Sequence, residues 1–200
     1  TQGTGAVDAL SLEQLRELDA GYRWTDDDGA TFPHRGSGLQ IPTLDEVLTT
    51  FPEQRFVVEL KVANGAEALC DAFERHNSGG RMVVGSFSQD ALDRFRAACP
   101  GVATSASFGE GVRYWLLHLA RLDLLSDPPF EALQTMPTIG PATIPDERFI
   151  RLSQGRGLPV QVWTIDDEET MQRLIDDGVQ GIITRRPDRL LDILRVRGLR

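Results

Sequence analysis

The chain has 200 residues, 40% of them hydrophobic and 26% charged, which is the composition of an ordinary globular protein with room for a sizeable core. Its net charge of −9 argues against a nucleic-acid partner, because phosphate backbones are held by clustered Lys and Arg. No run of about 18 apolar residues occurs, so no transmembrane segment is expected. The most apolar stretch, Tyr114 to Leu125, is broken by His118, Arg121 and Asp123. Cys70 and Cys99 fall in separate amphipathic segments and are expected to be buried free thiols. With no signal-like opening, that favours a reducing, cytoplasmic compartment.

Residues 1–55 read as an excursion of turn, helix and loop. A Gly/Thr turn covers Thr1–Ala6. A short helix is predicted over Ser11–Ala20, with a Ser11/Gln14 capping box and a stop at Gly21. Trp24–Gly38 is a polar loop, and Thr43–Phe51 is a second helix, capped by Thr43 and Glu46. From residue 56 onward, a short β-type run alternates six times with a helical pattern. Phe56–Lys61 precedes a helix marked by Ala66, Leu69, Cys70 and Phe73. Met82–Phe87 precedes a helix capped by Ser88. Thr104–Phe108 is a weak strand before an apolar helix over Val112–Leu122. Ala132–Met136 is weak too, with a helix over Asp146–Ser153. Pro159–Ile165 is strong, and Asp166 with Glu169 is expected to cap the next helix, which Gly178 stops. Gly181–Thr184 is the last strand, before a helix opened by Pro187.

Repeated strand–helix units with short links predict an α/β fold with a parallel sheet covered by helices. A doubly wound sheet and a (βα)8 barrel compete. No G-x-G-x-x-G follows a strand, and the barrel fits better, although six units fall two short of eight. The sharpest chemical signal is Glu59-Leu60-Lys61. Side chains alternate along a strand, so Glu59 and Lys61 share a face at its C-terminal end, where barrel active sites are built. A carboxylate and an ammonium there can hold a divalent cation beside an anionic substrate; a plain salt bridge inside a barrel is the alternative.

The ordered set of motifs resembles the glycerophosphodiester phosphodiesterases. It comprises Gly3-Thr4-Gly5, Leu12 to Leu18 with Asp19-Ala20-Gly21, and Ile41-Pro42-Thr43-Leu44 with Glu46-Val47-Leu48. Glu59-Leu60-Lys61, Gly85-Ser86-Phe87, Leu158-Pro159-Val160 with Val162-Trp163-Thr164, and Gly181–Thr184 with Pro187-Asp188 follow in the family's order. The resemblance implies a TIM barrel and a hydrolase of lipid and glycerol metabolism, cleaving a glycerophosphodiester to glycerol 3-phosphate and an alcohol. The family's route is attack by the glycerol 2-hydroxyl on phosphorus to give a cyclic intermediate. The resemblance makes Glu59 a ligand of a divalent metal ion, calcium or magnesium. Lys61 would face the substrate phosphate, and Trp163 would line the glycerol pocket.

The family's H-R-G, E-x-D and H-D elements, which carry two catalytic histidines and two more metal carboxylates, precede the turn found here at residues 3–5. The chain is therefore expected to be one phosphodiesterase domain, 1–200, without its first two βα units and inactive alone. His34-Arg35-Gly36 is treated as a decoy in the polar loop, and His76 and His118 as a solvent-exposed and a helix-face residue. Arg185 departs from the family's usual Asp or Asn. A non-catalytic phosphate-binding barrel and a relative of phosphoinositide-specific phospholipases are the alternative readings. The partner is a small-molecule diester, with weak lysophospholipid or membrane contact through an apolar face of Trp115, Leu116, Leu119 and Leu122.

Overall fold

A computed structural model describes residues 1–139 and 142–199 and divides them into two compact units, Thr1–Pro52 and Glu53–Arg200. In the first unit, α1 (Leu12–Arg16) starts at a capping box in which Ser11 and Gln14 exchange side-chain and backbone hydrogen bonds. Thr43 and Glu46 do the same for α2 (Leu44–Thr50). α1 is shorter than the sequence suggests. The Asp19 carboxylate accepts from the backbone N–H of Gly21 at 2.8 Å and of Gly36 at 2.7 Å. Such side-chain bonds draw the backbone out of a helix and into a turn. Arg35 lies over the Tyr22 and Phe32 rings, 4.4 and 4.0 Å from their centroids.

The second unit carries six parallel strands among its described residues: β1 (Phe56–Glu59), β2 (Met82–Gly85), β3 (Ala103–Thr104), β4 (Leu133–Thr135), β7 (Val160–Val162) and β8 (Gly181–Ile182). They are ordered β1-β2-β3 and β4-β7-β8, and a single parallel bridge, Ser105 to Ala132, joins the two sets. A two-residue antiparallel hairpin, β5 (Thr138–Ile139) with β6 (Ala142–Thr143), follows β4. The helices are α3 (Ala66–Arg75), α4 (Gln89–Ala98), α5 (Phe108–Leu119), α6 (Glu147–Gly155), α7 (Glu168–Asp176) and α8 (Pro187–Val196).

Strand alternation divides the chemistry. Met82, Val84, Val160 and Val162 are fully buried on one face, while Val83 and Gln161 between them are only half-buried. Beneath α5, α6 and the β4–β7 pair, Tyr114, Phe130, Leu133, Phe149, Ile150, Leu158 and Val160 form one cluster. Val162, Ile165, Met171, Leu174 and Ile193 form another around α7 and α8. Phe73 and Phe95 meet edge-on at 6.2 Å between α3 and α4, both about fully buried.

Two expectations need correction. Cys70 and Cys99 are not free thiols: they form a disulfide tying α3 to the C-cap of α4, with Cα atoms 5.6 Å apart. Both helices turn a cysteine toward the same seam, so the sequence distance between them is no guide to their spacing. The argument for a reducing, cytoplasmic compartment loses its ground with it. Asp167, not Asp166, caps α7, accepting from the Thr170 N–H at 2.8 Å. Asp166 is engaged elsewhere, with Thr184 Oγ1 at 3.1 Å and Arg185 N at 2.8 Å, and so ties the end of β7 to the end of β8.

Candidate active site

The C-terminal ends of the six strands open on a cavity of about 650 Å³. Parallel strands deliver their ends to one side of the sheet, and this is the side on which barrel enzymes assemble their sites. The lining runs from Glu59 on β1 through Ser86 and Phe87 after β2, Ser105 and Phe108 after β3, Gln134 and Met136 at β4, and Trp163 and Ile183 after β7 and β8.

Glu59 is exposed at the cavity edge, and its Oε1 lies 2.7 Å from Lys61 Nζ, so the pair shares a face as strand alternation requires. Lys61 itself is 73% exposed and stands outside the lining. Exposed pairs of this kind are worth little, about 0–1 kcal/mol, so either partner can turn to a ligand at small cost. Trp163 is half-buried and lines the cavity, its ring meeting Phe87 edge-on at 5.7 Å. Ser86 has a turn role: its hydroxyl donates to Leu60 O at 2.7 Å and accepts from Ser88 N at 3.1 Å.

Neither histidine of the second unit, His76 or His118, lines this cavity. His34 packs edge-on against Trp24 at 4.6 Å in the first unit. His76 is half-buried at the C-cap of α3, not exposed as the sequence suggested. His118 is 3% exposed, with Nδ1 2.9 Å from Asp123 Oδ1 and its ring edge-on to Phe149. Arg148 donates to both Asp123 Oδ2 and His118 O. Burial disfavours the Asp123 carboxylate, but bonds from His118 and Arg148 outweigh it and hold the carboxyl below its ordinary range. The same balance governs Glu110: burial opposes ionisation, and Arg96 with the Ser107 N–H prevails. Arg185, the unexpected cation, is bound to Asp166; its backbone N–H, then its side chain, lower the Asp166 carboxyl.

α5 does expose apolar residues, Phe108, Leu116 and Leu119, and Leu122 follows them. Trp115 is not among them, because it packs on the cluster around Tyr114 and lines the cavity. Among the described residues no group of three His, Cys, Asp or Glu is gathered that could hold a metal ion. Glu59 is one carboxylate, and a hard divalent ion takes about six oxygens, so the described residues do not by themselves make such a site.

Sheet, helices and strand-end cavity define an α/β barrel enzyme. The model of the glycerophosphoryl diester phosphodiesterase family matches residues 1–189, and the chain belongs to that family. It is 31% identical to the Mycobacterium tuberculosis protein named "Probable glycerophosphodiester phosphodiesterase 2", over 98% of this chain and 70% of that one. It is 28% identical to a glycerophosphodiester phosphodiesterase of Caldanaerobacter subterraneus, over 99% and 76%. Among solved structures, the phosphodiesterase domain of a second Mycobacterium tuberculosis protein superposes with a TM-score of 0.76 at 18% identity, covering 98% of this chain and 78% of that one. An Oleispira antarctica phosphodiesterase, solved with the product sn-glycerol-3-phosphate, superposes with a TM-score of 0.68 at 21% identity, over 96% and 74%. The fold is of the TIM-barrel type.

Proposed function

We propose that this domain belongs to an enzyme that hydrolyses glycerophosphodiesters to glycerol 3-phosphate and an alcohol, in lipid and glycerol metabolism. The observation that carries the reading is Glu59 at the C-terminal end of β1, on the rim of an aromatic-edged cavity, in a chain of this family. Lys61 turns from Glu59 to the substrate phosphate, and the Phe87–Trp163 edge pair flanks the glycerol carbons. Glu59 contributes one carboxylate toward a divalent ion, calcium or magnesium. The non-catalytic phosphate-binding alternative has no separate support.

Residues 1–200 by themselves are expected not to turn over. Neither His76 nor His118 lines the cavity, and general acid–base catalysis is worth roughly 10²–10⁴-fold. Weak lysophospholipid contact would use the exposed Leu116 and Leu119. Co-sedimentation with phosphatidylcholine liposomes should fall in the Leu116→Ser, Leu119→Ser variant, and equal binding removes that part. For the function itself, the full-length protein is incubated with glycerophosphocholine and glycerol 3-phosphate is measured. Release that is lost in Lys61→Ala supports the reading, and an inactive wild type refutes it.

A further inference from the structure

The chain's only two cysteines are joined to each other. Cys70 lies within α3 and Cys99 caps the C-terminus of α4, and they are 4% and 6% exposed. Phe73 and Phe95 meet edge-on in the same packing of α3 on α4. Among the described residues there is no free cysteine to exchange with the pair. A disulfide that cycles in a reaction or a signal must admit an attacking thiolate. Here two packed helices cover both sulfurs, so an external thiol reaches them only when the seam opens. The bond is a staple, not a cycling couple.

Its place in the chain bears on the cavity. α3 follows the Glu59-Leu60-Lys61 segment, and α4 follows Ser86 and Phe87. β1 stands at the end of its three-stranded set, and the cross-link ties the helix after it to the helix after β2.

We infer that this domain is oxidised after synthesis and works in an oxidising, extracytoplasmic compartment, where it meets its diester outside the reducing cytosol. The oxidant is a protein disulfide of the exchange type. One cysteine thiolate attacks it, and a mixed disulfide forms as one oxidant sulfur leaves. The second cysteine thiolate then attacks the chain's sulfur in that mixed disulfide. The Cys70–Cys99 bond closes, and the oxidant leaves as a dithiol, having taken two electrons and the two thiol protons. In the cytosol, glutathione and thioredoxin hold thiols reduced, so the bond does not accumulate there. The compartment rests on the cross-link alone; that the molecule met there is a glycerophosphodiester rests on the function proposed above.

The test reads thiols and location, not activity, so it stands or falls separately from the phosphodiesterase reading. The cells that make the full-length protein are treated with membrane-permeant N-ethylmaleimide, then separated into cytosolic and extracytoplasmic fractions, the medium included. The protein is denatured in the same reagent, reduced, and capped with iodoacetamide. Mass spectrometry of the peptides bearing Cys70 and Cys99 gives the ratio of the two labels. The protein should lie in the extracytoplasmic fraction, with the iodoacetamide label exceeding the maleimide label at both positions by at least about tenfold. A cytosolic location, or maleimide on the two cysteines, overturns the inference. The same protein produced in the reducing cytosol of a bacterial host should carry maleimide at both positions. A bond that closes there as fully would overturn it too, because the cross-link would then not report the compartment.

Discussion

Glu59 faces Gly85 across the β1–β2 register, and this pairing puts one carboxylate beside an open space. Glu59→Gln keeps the shape and removes the charge. In the full-length protein it should weaken calcium or magnesium binding measured by calorimetry by at least tenfold and lower glycerophosphodiester turnover in parallel. Unchanged affinity would remove Glu59 from the metal. A second residue-scale expectation concerns Asp123. Its folded pKa is lowered, so its contribution to stability is complete above the unfolded value near 3.9 and fades as pH falls through the lowered value. Asp123→Asn should therefore melt earlier than wild type at pH 7, and the two should converge as pH falls through the lowered value. A constant gap would show that the carboxylate charge is not what holds His118 and Arg148. Glu59 was legible in the sequence because period-two alternation and strand-end position locate it without three-dimensional knowledge.

At the scale of elements, capping chemistry was the most legible feature. Ser11, Thr43 and Ser88 each accept from the backbone N–H three residues on, because a cap is a local bond between near neighbours. Asp166 shows where local reasoning stops: Thr184 and Arg185, eighteen and nineteen residues away, compete for it and win. The hairpin β5–β6 escaped notice because two-residue strands carry no periodicity. The disulfide between α3 and α4 was missed for a related reason, as helix seams pair residues that the sequence separates by 29. Closing a loop of that length is worth about 3–4 kcal/mol in the chain-entropy account. For a chain of this size each kcal/mol corresponds to about 2–4 °C. Reduction, or the Cys70→Ser, Cys99→Ser variant, should lower Tm by roughly 6–15 °C. An unchanged Tm, or two titratable thiols in the unreduced unfolded protein, would contradict the cross-link.

For the whole molecule, the parallel α/β character and the six described parallel strands of the second unit were readable, since each apolar run lies between turn signals and an amphipathic helix. The joining of those strands along one cavity was not readable from any single segment, because it depends on the bridge between Ser105 and Ala132 that links the two sets of three. Function is the same kind of property. The Glu59 carboxylate and the Phe87 and Trp163 rings come from the ends of three different strands that lie far apart in sequence. The most direct test of the account compares the full-length protein with residues 1–200 alone, each given glycerophosphocholine with calcium or magnesium, with and without EDTA. The account predicts that the full-length protein releases glycerol 3-phosphate, that EDTA abolishes the release, and that residues 1–200 release none. Metal-independent release by the full-length protein, or turnover by residues 1–200 that His34→Ala abolishes, would contradict it.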